Sequence, residues 1–335
     1  MNIDMEKTDA HLFKSTDALP ASLKPCVLAI GNFDGVHQGH QAVIKHARDM
    51  ADRLNCPLGV LVFDPHPVSY FRPDVEPFRL TSIEKRARLI ADAGADFTLA
   101  LAFDAEMAAR SAQNFINDIL CTQIEVTGIV IGHDFHFGKG RDGSPQTLEI
   151  AGKEAGFETI IVSPVNRALA QTPFSSTEIR TALRAGNIED AEKWLGHRWS
   201  ISGIVAQGDQ RGRTIGFPTA NIELDDFLRP AFGVYAVKTT ILSGSLAGQN
   251  YAGVANIGMR PTVGTLKPRV EVHLFDFSDD IYGQFLDVQL CAFIRPEKKF
   301  ENFEALTSQI QKDSDQAREI MRHPAFATNI TTGKI

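Results

Sequence analysis

Residues 27–40 read VLAIGNFDGVHQGH: a short apolar run, a turn with two glycines, and the start of a helical pattern. Gly31 and Gly35 let the backbone bend and approach a ligand closely. The helix that follows would direct free N–H groups and the positive end of its dipole at the turn, an arrangement that favours an anion. The stretch therefore predicts a strand–turn–helix unit with a phosphate site in its turn.

Two imidazoles lie at the end of this stretch. His37 and His40 are two residues apart, and Gly39 keeps bulk away from them. Both side chains can donate hydrogen bonds to a phosphate whose charge grows in a transition state. They could instead bind a metal, although no third ligand is evident, or be ordinary polar residues at a helix start. The strand and glycine turn before them favour the phosphate site.

The rest of the first half repeats the alternation of strand and helix. Helical patterns near residues 39–54, 82–93, 111–120 and 147–156 separate apolar runs at 58–63, 97–103, 128–131 and 159–162. This spacing predicts a mostly parallel sheet with helices on its faces. In such sheets, ligands bind outside the carboxyl ends of the strands.

The pattern changes after a helix that begins near Ser175 and stops at Gly186. Gly and Pro then separate β-rich runs at 201–206, 233–242, 251–257, 270–277 and 286–294, and an amphipathic helix follows with Phe303, Leu306 and Ile310 on one stripe. This part predicts a small antiparallel barrel closed by a C-terminal helix. We place the domains at 1–186 and 187–335.

Composition narrows the class of protein. The 335 residues carry a formal charge of −7 and no basic run, which argues against a nucleic-acid partner. Cys26, Cys56, Cys121 and Cys291 are far apart, so we expect buried free thiols in a reducing compartment. The charged N-terminus does not resemble a signal peptide, and no apolar run is long enough to span a bilayer. We expect a cytoplasmic protein with no membrane partner.

Three further segments follow predicted strands. FDPHP (63–67) is a loop stiffened by two prolines that carries an aromatic and an imidazole, or simply a rigid turn. GHDFHFGKGR (132–141) is not a P-loop, because Gly140 stands where Ser or Thr is needed. In SSTEIR (175–180), Ser175 and Glu178 can form a capping box, whereas the cationic fork of Arg180 suits a leaving pyrophosphate.

The second half has its own candidate site. GDQRGRTIGFPTAN (208–221) combines glycines and arginines suited to a polyphosphate with Thr219 and Asn221, which could hold Mg²⁺; the alternative is a polar hairpin. On the strand 269–277, Glu271, His273 and Phe275 share one face. Glu271 could be a general base, or a solvated residue on the outer face.

GNFDGVHQGH, FDPHP, GHDFHFGKGRDG and SSTEIR, in that order, resemble the adenylyltransferase module of bacterial bifunctional riboflavin kinase/FAD synthetases. GRTIGFPTAN, GVYAV, GVANIGMRPTVG and VEVHLFDF resemble the kinase module. The resemblance runs from about Val27 to the end. It implies a Rossmann-like nucleotidyltransferase domain of the HxGH type, then a six-stranded barrel. The implied reactions are phosphorylation of riboflavin to FMN and transfer of AMP from ATP to FMN, giving FAD and pyrophosphate.

The same resemblance implies roles for particular residues. In the adenylyltransferase module His37 and His40 would stabilise the α-phosphate, and the other ATP contacts would be Gly31, Phe33, Asp34, Gly35, Asp134, Ser175, Ser176, Thr177 and Arg180. The flavin would meet Phe63, His66 and Phe137. In the kinase module ATP would meet Gly208, Gly212, Arg213, Thr219 and Asn221, with Mg²⁺ at the last two and Glu271 as base toward the ribityl 5′-hydroxyl. His136 and Glu178 stand where the family often carries arginine.

Two rival functions remain. A flavin-binding protein without turnover is disfavoured because His37, His40 and Glu271 are all present. A nucleotidyltransferase for another phosphorylated acceptor, fused to an unrelated barrel, would leave the PTAN segment and Glu271 unexplained. The expected partners are riboflavin, FMN and ATP, with no obligatory protein partner evident.

Overall fold

The computed structural model describes residues 11–164, 174–206, 217–262, 265–327 and 330–331. The chain divides into two compact units. The first holds the described residues of 11–76 and 82–176, and the second holds 77–81 together with the described residues from 177 onward. The predicted boundary at residue 186 lies just after a helix, Ser176–Arg184, of which all but the first residue belongs to the second unit.

The first unit is built on a six-stranded parallel sheet in the order β1-β4-β3-β2-β5-β6. All five predicted strands are present, and the two-residue β1 is additional. Residues along β2 alternate between two apolar clusters, so the sheet is buried on both faces and its strands read as continuous apolar runs. The strands are β1 (Leu12–Phe13), β2 (Cys26–Ile30), β3 (Leu58–Asp64), β4 (Phe97–Ala102), β5 (Val126–Gly132) and β6 (Glu158–Val162).

The helices of this unit cover the sheet. Ser82 caps α3, because its side chain accepts the backbone N–H of Lys85 at 3.2 Å. The helices are α1 (Gln38–Leu54), α2 (Pro67–Phe71), α3 (Ile83–Asp92), α4 (Ala105–Ala109), α5 (Ala112–Asn114), which continues as a π-helix (Phe115–Ile124), and α6 (Pro145–Ala155).

The strand order creates a switch point. From β2 the chain first adds β3 and β4 on one side, and then adds β5 and β6 on the other. The connections after β2 and β5 therefore diverge at the carboxyl edge of the sheet, which is where ligands bind in open α/β sheets.

The second unit contains the predicted barrel, an antiparallel sheet in the order β7-β12-β9-β10-β11-β8. The backbone N–H of Ala206 donates to Asn221 O at 2.8 Å and links the two edge strands, so the barrel is nearly closed. The prediction missed β8, a short strand inside the PTAN segment. The strands are β7 (Ser200–Ile204), β8 (Ala220–Glu223), β9 (Gly233–Ile241), β10 (Asn250–Thr262), β11 (Thr265–Leu274) and β12 (Phe285–Pro296).

Helices and one inserted segment complete the barrel's core. Leu80 packs there, and its carbonyl accepts the indole N–H of Trp199 at 2.8 Å. The helices are α7 (Ser176–Arg184), α8 (Ile188–Leu195), α9 (Phe303–Met321) and α10 (Pro324–Ala327).

The predicted apolar stripe is not what α9 buries. Phe303 is 58% exposed, and the buried residues lie in the second half of the helix, at Asp313, Ser314, Ala317 and Met321. Asp313 can be buried because Arg295 donates to it through Nη2 at 2.6 Å and Nε at 3.0 Å.

Candidate active sites

The turn after β2 has an unusual backbone. Phe33, Gly35 and Val36 all have positive φ, at 48°, 82° and 42°. Such a conformation costs about 1–3 kcal/mol at each non-glycine residue and persists only where the surroundings enforce it. Phe33 and Val36 are buried in the apolar cluster that also contains residues of α1. Their burial fixes the turn in one conformation.

A buried ion pair supports the same turn. The guanidinium of Arg86, on α3, lies 3.6 Å from Asp34 Oδ1, with side-chain exposures of 2% and 3%. Arg86 Nη1 also donates to Asn32 O at 3.2 Å. Asp34 was predicted as an ATP contact, and here its carboxylate faces Arg86. Nothing in the sequence singles out Arg86, which is one arginine on an amphipathic helix.

His37 and His40 come together at the start of α1. Their rings stack with a centroid distance of 3.6 Å and an interplanar angle of 17°. His37 is buried, and its Nδ1 accepts the backbone N–H of His40 at 3.3 Å. In the neutral ring the proton is therefore on Nε2. A side chain at Gly39 would crowd the ring of His37, with Cβ 3.0 Å from Cε1. The pair can present N–H donors at a helix N-terminus.

The segment before α7 reaches the turn. Ser176 Oγ donates to Asp34 O at 3.2 Å, and Phe174 lies beside Gly39. The structure thus brings the Ser175–Ser176 segment to the predicted phosphate site. Thr177 is exposed, and Arg180 makes its described contacts within the second unit: Nε donates to Phe78 O at 2.9 Å, and the guanidinium lies 5.1 Å from the Phe78 ring.

Two predicted flavin contacts, Phe63 at the end of β3 and Phe137 after β5, belong to one group of aromatic rings. Phe63 and Phe137 both contact Phe115, with ring centroids 6.3 and 5.6 Å away. All three rings are buried, so they would bound a flavin site rather than offer an open stacking face. Sequence reasoning missed Phe115, because an aromatic on an apolar helix face is usually core.

Two further predicted site residues, His66 and Asp134, lie at the carboxyl edge of the sheet. His66 caps α2, since its Nδ1 accepts the backbone N–H of Val68 at 3.1 Å. Asp134 follows β5 at the switch point and is exposed. Asp134 is therefore accessible to a ligand at the carboxyl edge.

In the barrel, three polar side chains form a row. Glu271 on β11 is paired in register with Asn221 on β8 and with Asn256 on β10. Their neighbours Ala220, Val272 and Ala255 belong to the core, so the row faces away from it. The predicted faces of β11 are confirmed, and the expected residues Asn221 and Glu271 are adjacent.

Asn256 was missed as a candidate, although it lies within the GVANIGMRPTVG segment. Its Nδ2 atom is buried, and no hydrogen-bond partner for it occurs among the residues that the structure describes. An unsatisfied buried amide beside a carboxylate is costly and is a marker of function.

A pocket of about 410 Å³ opens on the opposite, apolar face of β11, and none of the three residues of the row lines it. Its walls come from the PTAN segment, from the apolar face of β11 and from the loop that follows. The lining residues are Pro218, Thr219, Ala220, Val272, Leu274 and residues 277–282. Thr219 thus borders a cavity large enough for part of a nucleotide. Gly208, Gly212 and Arg213 lie outside the described residues.

The described ranges contain no group of three His, Cys, Asp or Glu side chains arranged to hold a metal ion. His37 and His40 therefore have no third ligand of that kind in the part described. The predicted magnesium ligands Thr219 and Asn221 carry neutral oxygen atoms and are not among these four residue types.

Comparison with known proteins matches each half of the chain separately. The FAD synthetase family model matches residues 19–178, and the riboflavin kinase family model matches residues 195–321. A bifunctional riboflavin kinase/FMN adenylyltransferase of Escherichia coli (strain K12) is 43% identical over 294 residues, covering 88% of this chain and 92% of that protein. The protein of the same name from Bacillus subtilis (strain 168) is 38% identical, covering 92% and 94%.

A solved structure from Streptococcus pneumoniae, described as a macrolide-efflux protein, aligns with a TM-score of 0.77 and 32% identity, covering 92% of this chain and 98% of that chain. None of the helices in the described ranges has both the length and the apolar character that a bilayer crossing requires. Because the relatives match nearly the whole chain and two family models account for its two halves, the chain belongs to the bifunctional riboflavin kinase/FMN adenylyltransferase family.

Proposed function

We propose that the barrel unit phosphorylates riboflavin to FMN and that the parallel-sheet unit transfers AMP from ATP to FMN. The observation that carries this assignment is the row Asn221–Glu271–Asn256, which places a carboxylate between two amides on three neighbouring strands of the barrel. The rival functions are not favoured, because the matched families carry both flavin activities.

In the parallel-sheet unit, a phosphate oxygen of FMN attacks the α-phosphorus of ATP and pyrophosphate leaves. His37 Nε2–H and His40 donate to the α-phosphate oxygens, where negative charge grows. The N-terminus of α1 favours the same charge. The glycine turn, Asp134 and the Ser175–Ser176 segment hold the nucleotide.

The flavin binds against Phe63 and Phe137 in this proposal. Phe115, which contacts both rings, keeps them in place. His66 shapes the loop by capping α2.

In the barrel, Glu271 accepts the proton of the ribityl 5′-hydroxyl while that oxygen attacks the γ-phosphorus, and ADP leaves. Asn221 and Asn256 flank the carboxylate and orient it. The glycine and arginine segment that contains Gly208, Gly212 and Arg213 would bind the phosphates of ATP.

Magnesium would be held by Thr219 and Asn221. Asn221 is buried, and its Nδ2 lies 3.5 Å from Thr219 O, which leaves its amide oxygen for a cation. Hydroxyl and amide oxygens suit this hard ion. The ion, bound with ATP, neutralises charge on the transferring phosphate.

The test uses one preparation of protein with riboflavin, ATP and Mg²⁺, and separates the flavins by chromatography. His37→Ala should reduce FAD formation from FMN about 10²–10³-fold and leave riboflavin phosphorylation unchanged. Glu271→Gln should do the reverse, with a loss on the order of 10²–10⁴. Each variant is thus the control for the other. A kinase rate for Glu271→Gln within a few-fold of wild type would remove Glu271 as the base.

A further inference from the structure

A histidine on β11 lies beside the row Asn221–Glu271–Asn256. His273 lies two residues beyond Glu271 on the same face of β11. Its Nδ1 is 2.8 Å from Pro218 O, and its ring meets that of Phe217 edge-on, with centroids 5.3 Å apart. Phe217 and Pro218 directly precede Thr219, so His273 contacts the approach to the proposed magnesium ligands.

This hydrogen bond defines the state of the imidazole. A carbonyl oxygen only accepts, so Nδ1 of His273 must carry the proton and donate. The pKa of His273 is lowered from its ordinary 6.5, mainly because burial disfavours the charged imidazolium. The nearby Arg318 also lowers this pKa, whereas the hydrogen bond to Pro218 and the charge of Asp276 raise it. The ring is therefore neutral at neutral pH, in the Nδ1–H form.

The ring of His273 also contacts a second aromatic side chain. Phe275 contacts it edge-on, with centroids 5.9 Å apart. The guanidinium of Arg318 lies 4.1 Å from the centre of the Phe275 ring and pairs with Asp276 at 3.1 Å. The edge-on contacts with Phe217 and Phe275 restrict the orientation in which the imidazole meets Pro218.

The register shows what this contact achieves. The pairing of β8 with β11 ends at Ala220 and Val272, one residue before Thr219 would face His273. The hydrogen bond from His273 to Pro218 O therefore attaches the residues before β8 to β11, beyond the last paired residues of the two strands. We propose that His273 is a positioning residue of the kinase site, whose Nδ1–H fastens Phe217–Pro218 to β11 and so sets Thr219 and Asn221 beside Glu271. This inference rests on the proposed function of the barrel site.

Three substitutions in the full-length protein separate the hydrogen bond from the bulk of the ring. His273→Asn places an amide N–H near the position of Nδ1, His273→Gln moves the amide outward toward the position of Nε2, and His273→Leu removes the donor. FMN formation is measured against MgATP and against riboflavin concentration. FAD formation from FMN serves as the control for the parallel-sheet unit, and a thermal melt of each variant checks that the barrel is folded.

We expect kcat/KM for MgATP to fall roughly 3- to 10-fold in His273→Leu and His273→Gln, the loss of one hydrogen bond. His273→Asn should recover most of it, and the KM for riboflavin should change less than about 2-fold. A long-range ¹H–¹⁵N spectrum of wild-type protein should show the proton on Nδ1.

Equal kinetics in wild type and all three variants would overturn the inference, as would equal losses in His273→Asn and His273→Gln. If His273→Leu fails to fold, the difference in kcat/KM for MgATP between His273→Asn and His273→Gln tests the inference alone. Wild-type protein that forms no FMN would instead refute the proposed function, and with it this inference. Normal FMN formation with no effect of the variants would refute only the role of His273.

Discussion

Replacing Arg86 by Met should destabilise the parallel-sheet unit and slow FAD formation. Arg86→Met keeps a long aliphatic side chain but removes a cation from beside the buried carboxylate of Asp34, 3.6 Å away. Removing one member of a buried ion pair typically costs about 3–5 kcal/mol, because the remaining charge stays desolvated. The lost hydrogen bond to Asn32 O acts in the same direction.

This cost can be expressed as a melting temperature. A domain of 150–250 residues loses about 2–4 °C for each kcal/mol, so we expect a decrease of roughly 6–20 °C in the transition of this unit by calorimetry. FAD formation from FMN should fall as well, because the turn that carries Phe33 and Gly35 loses its support. FMN formation in the barrel unit should remain near wild type.

The matched control is Arg53→Met in the same unit. Arg53 Nη2 lies 2.7 Å from Glu158 Oε2, but the two side chains are 54% and 44% exposed. A surface pair contributes about 0–1 kcal/mol, so this variant should melt within roughly 4 °C of wild type. Similar shifts in the two variants would refute the reasoning that Arg86 holds the turn through a buried charge.

Two more outcomes follow from the barrel and the cysteines. Asn256→Leu should slow FMN formation roughly 10-fold. Its melting temperature should equal or exceed that of wild type, because the substitution removes a buried amide nitrogen with no partner among the described residues. A lower melting temperature with an unchanged kinase rate would contradict this prediction. Burial raises the pKa of Cys26 to about 12 and of Cys291 to about 11, so fewer thiolates form at pH 8. Iodoacetamide labelling followed by peptide mass spectrometry should find Cys56 modified well before either, and equal labelling of all three would count against it.

The apolar pattern was sufficient for the regular elements. Strands such as β2 and β5 are buried on both faces, so they read as uninterrupted apolar runs between helical patterns. The strand β8 was missed because its four residues follow a glycine-rich and proline-containing segment whose local pattern is typical of a turn. The stripe at Phe303 and Ile310 was correct as a helical pattern but did not identify the buried face, which carries Ala317 and Met321 in an apolar cluster and Asp313 bound by Arg295.

The sequence by itself determined the two-part organisation, the glycine turn with His37 and His40, and the strand face that carries Glu271. These features depend on short-range spacing, to which the periods of helices and strands apply directly. Only the tertiary structure decided which distant side chains support them. Arg86 reaches Asp34 and Asn256 stands beside Glu271 because the packing of helices and the register of strands bring separate parts of the chain together. Local patterns contain no information on such pairings, since an arginine on a helix or an asparagine in a strand looks the same whether or not it has a distant partner.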